Sequence, residues 1–185
     1  MRLDPDNRFA GPMLETAENA NAGEAQAPVY EDISSVCPAG MAHVPAGEFT
    51  MGNDEGGFDE RPSRKVYTPP YCIDEYEFPN QFGLLPELGR KWSEAGAICE
   101  SRGKRLCSEA EWEKACKGRD GYLFPYGDEY AHGKCPTGLI RKDGQQAAGK
   151  YGDCASGYGV YDMSGGAKEW VSGSYSPYPG SETIP

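Results

Sequence analysis

The residues best equipped for chemistry in this 185-residue chain are seven cysteines, Cys37, Cys72, Cys99, Cys107, Cys116, Cys135 and Cys154, set against two histidines, His43 and His132. Thiols can hold soft metals, exchange as disulfides or attack as nucleophiles, and their spacing separates these uses. No C-x-x-C pair occurs, and two histidines cannot complete a Cys/His ligand set at the usual spacings, so a structural zinc site is not expected. The same scarcity of histidine rules out a three-histidine iron or zinc centre built from this chain. With no G-x-S-x-G run, no serine-hydrolase order can be assembled either. The remaining use is disulfide formation in an oxidising compartment. Cys135 and Cys154 bracket a polar, Gly-rich stretch, and a bridge closing it would contribute about 3 kcal/mol. Cys37 and Cys72 are further disulfide candidates. Cys107 and Cys116 are not, because an intervening helix would hold their Cα atoms roughly 12–13 Å apart, beyond disulfide reach.

Composition narrows the class. Gly 25 and Pro 15 indicate a loop-rich fold with short elements. The formal charge of −11 disfavours nucleic acid as a partner. No apolar run is long enough for a transmembrane helix. Residues 1–30 show no basic segment followed by an apolar one, so the export signal that an oxidising compartment calls for is not visible there.

Residues 1–36 read as a separate acidic extended arm or linker. They carry seven acidic and two basic side chains and almost no large aliphatics, too little apolar surface to order themselves. We expect such an arm to lie on a protein partner. The folded domain is expected over 37–185. Within it, 41–52 reads as two short strands joined at Pro45-Ala46-Gly47, and the stretches around Val66-Tyr67 and Tyr71-Ile73 read as extended. Glu75-Tyr76-Glu77-Phe78 alternates as a half-buried strand does. A first helix opens near Trp92 with Ser93 as N-cap and ends before Gly103. A second starts at Ser108, whose S-x-x-E run to Glu111 is a capping box, buries Trp112, Ala115 and Cys116, and stops at Gly118. Phe124-Pro125-Tyr126-Gly127-Asp128 reads as an aromatic-packed turn. The late tyrosines, Tyr175 and Tyr178, read as core filler or as a binding surface.

In chain order, Val44 to Gly52, Asp59-Glu60-Arg61-Pro62, Ile73 to Glu77, Gly103-Lys104-Arg105-Leu106 running into Glu109 to Glu113, Phe124 to Asp128, Tyr158 to Met163 and Glu169-Trp170 together resemble the formylglycine-generating enzyme, or sulfatase-modifying factor, family. The resemblance covers 37–171 and implies a loop-rich α+β fold, distantly similar to C-type lectins, with little regular secondary structure.

The resemblance also implies calcium, held by Asp162, the carbonyls of Gly165 and Ala167, and Glu169. A hard cation that takes six to eight oxygens suits such a turn. Gly166 and Lys168 depart from the family's usual Asn and aromatic residues there. A second family calcium site maps on Asp143 beside Gly144. The family's active members oxidise a substrate cysteine to formylglycine with copper held by two cysteines that follow an R-G-G-S-W run. This sequence contains no such run and no cysteine beyond Cys154, so copper is expected only if that C-terminal portion exists. The counterparts of Cys99 and Cys116 in the family pair within the same portion. The leading expectation is therefore a non-catalytic, calcium-stabilised structural or interaction subunit of a secreted, periplasmic or cell-surface assembly. The alternatives are the front portion of a copper-dependent formylglycine-generating oxidase and a lectin-like ligand-binding module.

Overall fold

A computed structural model describes residues 3–4, 37–137 and 145–181. Its regular elements are short. The strands are β1 (Leu3–Asp4), β2 (Met41–Val44), β3 (Gly47–Met51), β4 (Arg64–Thr68), β5 (Tyr71–Asp74) and β6 (Arg105–Leu106), and the helices are α1 (Trp92–Ser101) and α2 (Glu109–Lys117). A 3-10 turn covers Phe58–Glu60. The loop-rich α+β expectation holds in this form.

The strands form three antiparallel pairs. β2 runs against β5 with His43 opposite Cys72, β3 against β4 with Phe49 opposite Val66, and β1 against β6 with Leu3 opposite Leu106. The two strands flanking Pro45-Ala46 are where the sequence puts them, but they do not pair with each other. Each turns to a strand beyond the 3-10 segment, so two ladders share the Pro69-Pro70 corner. The acidic arm as a whole lies outside the described residues, apart from Leu3–Asp4, whose backbone adds a strand to β6.

The core lies between β2, β5 and α2. Val44, Ile73, Cys107, Ala115 and Val160 are fully buried in it, and Trp112, Cys116 and Tyr158 pack on its edge. A smaller cluster sits under α1, built from Phe78, Ala95, Cys99 and Leu106. Among the described residues no helix is long and apolar enough to cross a membrane.

Both helix ends show how local chemistry sets the boundaries. At α2 the capping box forms as its sequence dictates: Glu111 N–H donates to Ser108 Oγ at 3.2 Å, and Ser108 N–H donates back to the Glu111 carboxylate at 2.7 Å. Gly118 ends the helix at φ +68. At α1 the Ser93 assignment is corrected. The N-cap is Lys91, and it is the Lys91 backbone N–H that donates to Glu94 Oε2 at 2.9 Å. Half of a capping box therefore works here without a hydroxyl at its first position, and Ser93 lies inside the first turn. Gly103 follows the C-cap as expected, at φ +67. The Glu75–Phe78 strand is also corrected. These residues form a bend, because Glu77 turns inward to serve another segment and Asn80 Oδ1 takes the Tyr76 N–H at 3.0 Å.

Helix α2 is the organising element, and its charged residues do that work. Glu111, 5% exposed, takes both terminal nitrogens of Arg105 at 2.8 and 2.7 Å. Burial alone would raise its carboxyl; the Arg105 pair and the Ser108 bonds outweigh burial and hold it below the ordinary value. Its backbone carbonyl accepts the Tyr71 hydroxyl at 2.5 Å. Lys114, 3% exposed, points into the molecule and donates to the carbonyls of Pro45 and Gly47 and to Thr68 Oγ1 at 2.8–2.9 Å. Burial pushes its ammonium below the usual lysine value. One turn later Lys117 donates to the carbonyls of Thr50 and Gly52 and pairs with Glu113. Two lysines three residues apart thus clamp the whole β2–β3 corner to one helix face.

Candidate functional site

Two disulfides fix the loops around the candidate site. Cys37 is bonded to Cys72, and Cys135 to Cys154, with Cα atoms 5.7 and 4.8 Å apart. All four cysteines are ones the sequence marks as candidates. Cys99, Cys107 and Cys116 are thiols, so the exclusion of a Cys107–Cys116 bridge holds. Cys99 and Cys107 are fully buried, in different clusters, and Cys116 donates weakly to the Met163 carbonyl at 3.7 Å. Burial pushes the Cys99 thiol up to about 11, the opposite of what a metal-binding or nucleophilic thiolate needs.

The Cys135–Cys154 bridge leads straight to the turn at 162–169. Asp162 N–H donates to the Cys154 carbonyl at 2.9 Å, and the Asp162 carboxylate accepts the Gly149 N–H at 2.6 Å. Asp162 itself adopts φ +56, a left-handed conformation that Asp and Asn tolerate better than most residues. Gly165 and Gly166 follow at φ +85 and +64. A Cβ at Gly165 would lie 2.8 Å from the Pro136 carbonyl, and one at Gly166 would lie 2.8 Å from the Glu77 carboxylate. Gly165 therefore demands glycine twice over, by backbone angle and by space, and Gly166 favours it by backbone angle.

Glu77 is the residue that the sequence reading missed. It is 3% exposed, and its carboxylate accepts the Ala167 N–H at 2.9 Å, so it pins the double-glycine turn from across the chain. With Asp162, Gly166, Ala167 and Lys168 it borders a cavity of about 360 Å3, walled on the apolar side by Pro86, Leu88 and Pro136 and closed by Gln145–Ala147. The Gln145 carboxamide donates to the Pro86 carbonyl. Leu88 is about half exposed in its wall, and the half-exposed Trp170 lines a smaller adjoining cavity that shares Glu77, Pro86, Leu88, Ala167 and Lys168. Both tryptophans are held by backbone, with Trp92 Nε1 donating to the Val171 carbonyl at 2.9 Å and Trp170 Nε1 to the Arg90 carbonyl at 2.8 Å.

Of the residues marked for calcium, Asp162, Gly165 and Ala167 share this turn. Glu169 faces α2, where its carboxylate accepts the Trp112 indole N–H. Asp143 lies outside the described residues. Among the described residues no three His, Cys, Asp or Glu side chains converge as a ligand group. The Asp162 carboxylate and the Gly165 and Ala167 carbonyls are oxygen donors, the kind calcium takes, while the Glu169 carboxylate is engaged with Trp112. Four of the seven cysteines are disulfides, Cys99 and Cys107 are buried in separate clusters, and Cys116 packs partly buried against the cluster that holds Cys107.

A loop-rich α+β domain with two disulfides, a double-glycine turn and a cavity walled on one side by Pro86, Leu88 and Pro136 is the class that this geometry defines. The chain belongs to the sulfatase-modifying factor enzyme 1-like domain family, which matches residues 79–184. It is 37% identical over 213 aligned positions to formylglycine-generating enzyme from Mus musculus, covering 71% of this chain and 57% of that protein. It is 34% identical over 103 residues to inactive C-alpha-formylglycine-generating enzyme 2 from the same organism, covering 50% of this chain and 33% of that protein. The chain thus spans about a third to three fifths of these relatives. The structure of PvdO from Pseudomonas aeruginosa shares the fold, with a TM-score of 0.57 over 71% of this chain and 69% of that one, at 23% identity.

Proposed function

We propose that this domain is a non-catalytic, calcium-stabilised binding unit of the sulfatase-modifying factor family, acting as a structural or interaction part of a secreted, periplasmic or cell-surface assembly. The observation that carries this reading is the placement of the cysteines. Four are disulfides, Cys99 and Cys107 are buried thiols and Cys116 packs partly buried against the core, while the cavity beside the 162–169 turn has no thiol in its wall. The disulfides support the oxidising compartment. The half-exposed Trp92 and Trp170 are side chains that protein interfaces favour at their centres. A lectin-like use of the same loops would draw on the same cavity.

A second reading is favoured by one finding, the 37% identity to the mouse formylglycine-generating enzyme. In that reading the chain is the front portion of a copper-dependent oxidase, and the residues described here are its scaffold.

The calcium part has its own test. Calcium at millimolar concentration should raise the melting temperature of the protein, and Asp162→Asn should abolish that rise while leaving the melting temperature in chelator within a few degrees of the parent. An equal drop with calcium and in chelator would mean that Asp162 serves only the Gly149 N–H.

A further inference from the structure

The bend at 75–80 belongs to no strand or helix, yet it meets the 161–167 segment at three separate points. The Tyr161 N–H donates to the Glu75 carbonyl at 2.8 Å, the Tyr76 ring stacks on the Tyr161 ring with centroids 5.0 Å apart, and the Glu77 carboxylate accepts the Ala167 N–H at 2.9 Å. The bend is itself held. The Asn80 N–H donates to the Glu77 carbonyl at 2.8 Å, and the Asn80 side chain accepts the Tyr76 N–H and donates to the Gly40 carbonyl at 2.9 Å. Glu77, 3% exposed and placed on this braced bend, has little freedom to reorient.

These contacts fall on the parts of the turn that carry its oxygen donors. The Ala167 N–H belongs to the peptide unit that lies between the Gly165 and Ala167 carbonyls, so the Glu77 carboxylate fixes the unit from which both carbonyls set off. The Asp162 carboxylate is held by the Gly149 N–H at 2.6 Å. Gly149 in turn lies under the Tyr76 and Phe82 rings, each with an atom 2.7 Å from where a Cβ would stand. Glu77 and Asp162 also border the same cavity. Metal sites depend on such supports: removing a group that orients a ligand from outside the coordination shell typically costs 10–100-fold in affinity.

We propose that Glu77 is a positioning residue for calcium: by holding the peptide unit between the Gly165 and Ala167 carbonyls, it sets the affinity with which the 162–167 turn takes the ion. The inference rests on the calcium reading above and extends it to a residue 85 positions or more before the turn.

The test is calorimetric titration of the whole 185-residue protein with calcium chloride, after chelator has been removed and at a temperature where each variant is folded. Glu77→Met keeps the length of the stem and removes the acceptor, and it should raise the Kd for calcium about tenfold or more. Glu77→Gln keeps a carbonyl oxygen for the Ala167 N–H and should restore most of that loss. Gly166→Ala would place a methyl group 2.8 Å from the Glu77 carboxylate. It should displace the same hydrogen bond with the acid still present and weaken calcium in the same direction, so the test does not depend on Glu77→Met folding. Parent-like affinity in Glu77→Met, or in Gly166→Ala where Glu77→Met does not fold, overturns the positioning role and leaves the calcium reading standing. Equal losses in Glu77→Gln and Glu77→Met overturn it as well, because the charge and not the hydrogen bond would then set the affinity. No calcium binding by the parent chain overturns the calcium reading itself, and this inference with it.

Discussion

Replacing Lys114 by methionine is expected to destabilise the fold by about 3 kcal/mol, because three oxygens lose a charged donor at once and one of them, Thr68 Oγ1, is buried away from water. The side chain is 3% exposed, and its ammonium is the shared partner of the Pro45 carbonyl, the Gly47 carbonyl and Thr68 Oγ1. Methionine matches the length and apolar character of the stem, so the loss reports the ammonium and not a cavity. In a chain of this size that corresponds to a melting temperature lower by roughly 10 °C. Lys117→Met, one turn further on, also removes two carbonyl contacts and the Glu113 pair. Its position is more open to water, so its cost should be clearly smaller. Thermal unfolding of the two variants side by side checks the order. Equal costs would mean that the β2–β3 corner is not held chiefly through the buried lysine.

The second large effect belongs to the Cys135–Cys154 bridge. Converting both residues to alanine should cost about 3 kcal/mol, by releasing a 19-residue separation in the unfolded chain. Both cysteines are essentially fully buried, so the lost packing adds to the entropic term. The consequence should reach the candidate site, because Pro136 abuts Gly165 and the Cys154 carbonyl holds Asp162. The double variant is therefore expected to lose its calcium-dependent thermal shift as well as stability. A variant that melts lower yet keeps the full calcium shift would show that the turn at 162–169 forms without the bridge.

The elements that the sequence revealed are those whose signals are local. Ser108 and Glu111 are three residues apart, so the capping box and the start of α2 could be read directly. Pro69-Pro70 and the alternating residues around it marked two extended segments. Strand partners could not be read, since β3 closing on β4 and β2 on β5 depends on where the 3-10 turn at Phe58–Glu60 sends the chain. The N-cap of α1 was misplaced because a serine side chain is a stronger cue than a backbone amide answered by Glu94. Glu77 and Lys114 were invisible for a common reason. A charged residue reads as solvent-facing unless its partners are known, and these partners lie 90 residues away at Ala167 and 46 to 69 residues away at Thr68, Gly47 and Pro45. The candidate site was half legible: Asp162, Gly165 and Ala167 came from one contiguous run, while the cavity walls at Pro86 and Leu88 come from a segment that carries no motif.

The proposed function rests most directly on cysteines that hold structure and do no redox chemistry. The measurement that tests it is incubation of the 185-residue protein with Cu(I) and oxygen in the presence of a Cys-x-Pro-x-Arg peptide, reading the peptide by mass spectrometry and the protein-bound copper in parallel. The peptide is expected to keep its cysteine and the protein to retain no stoichiometric copper. Conversion of that cysteine to formylglycine in step with copper retained by the protein would contradict the account and make the chain an oxidase.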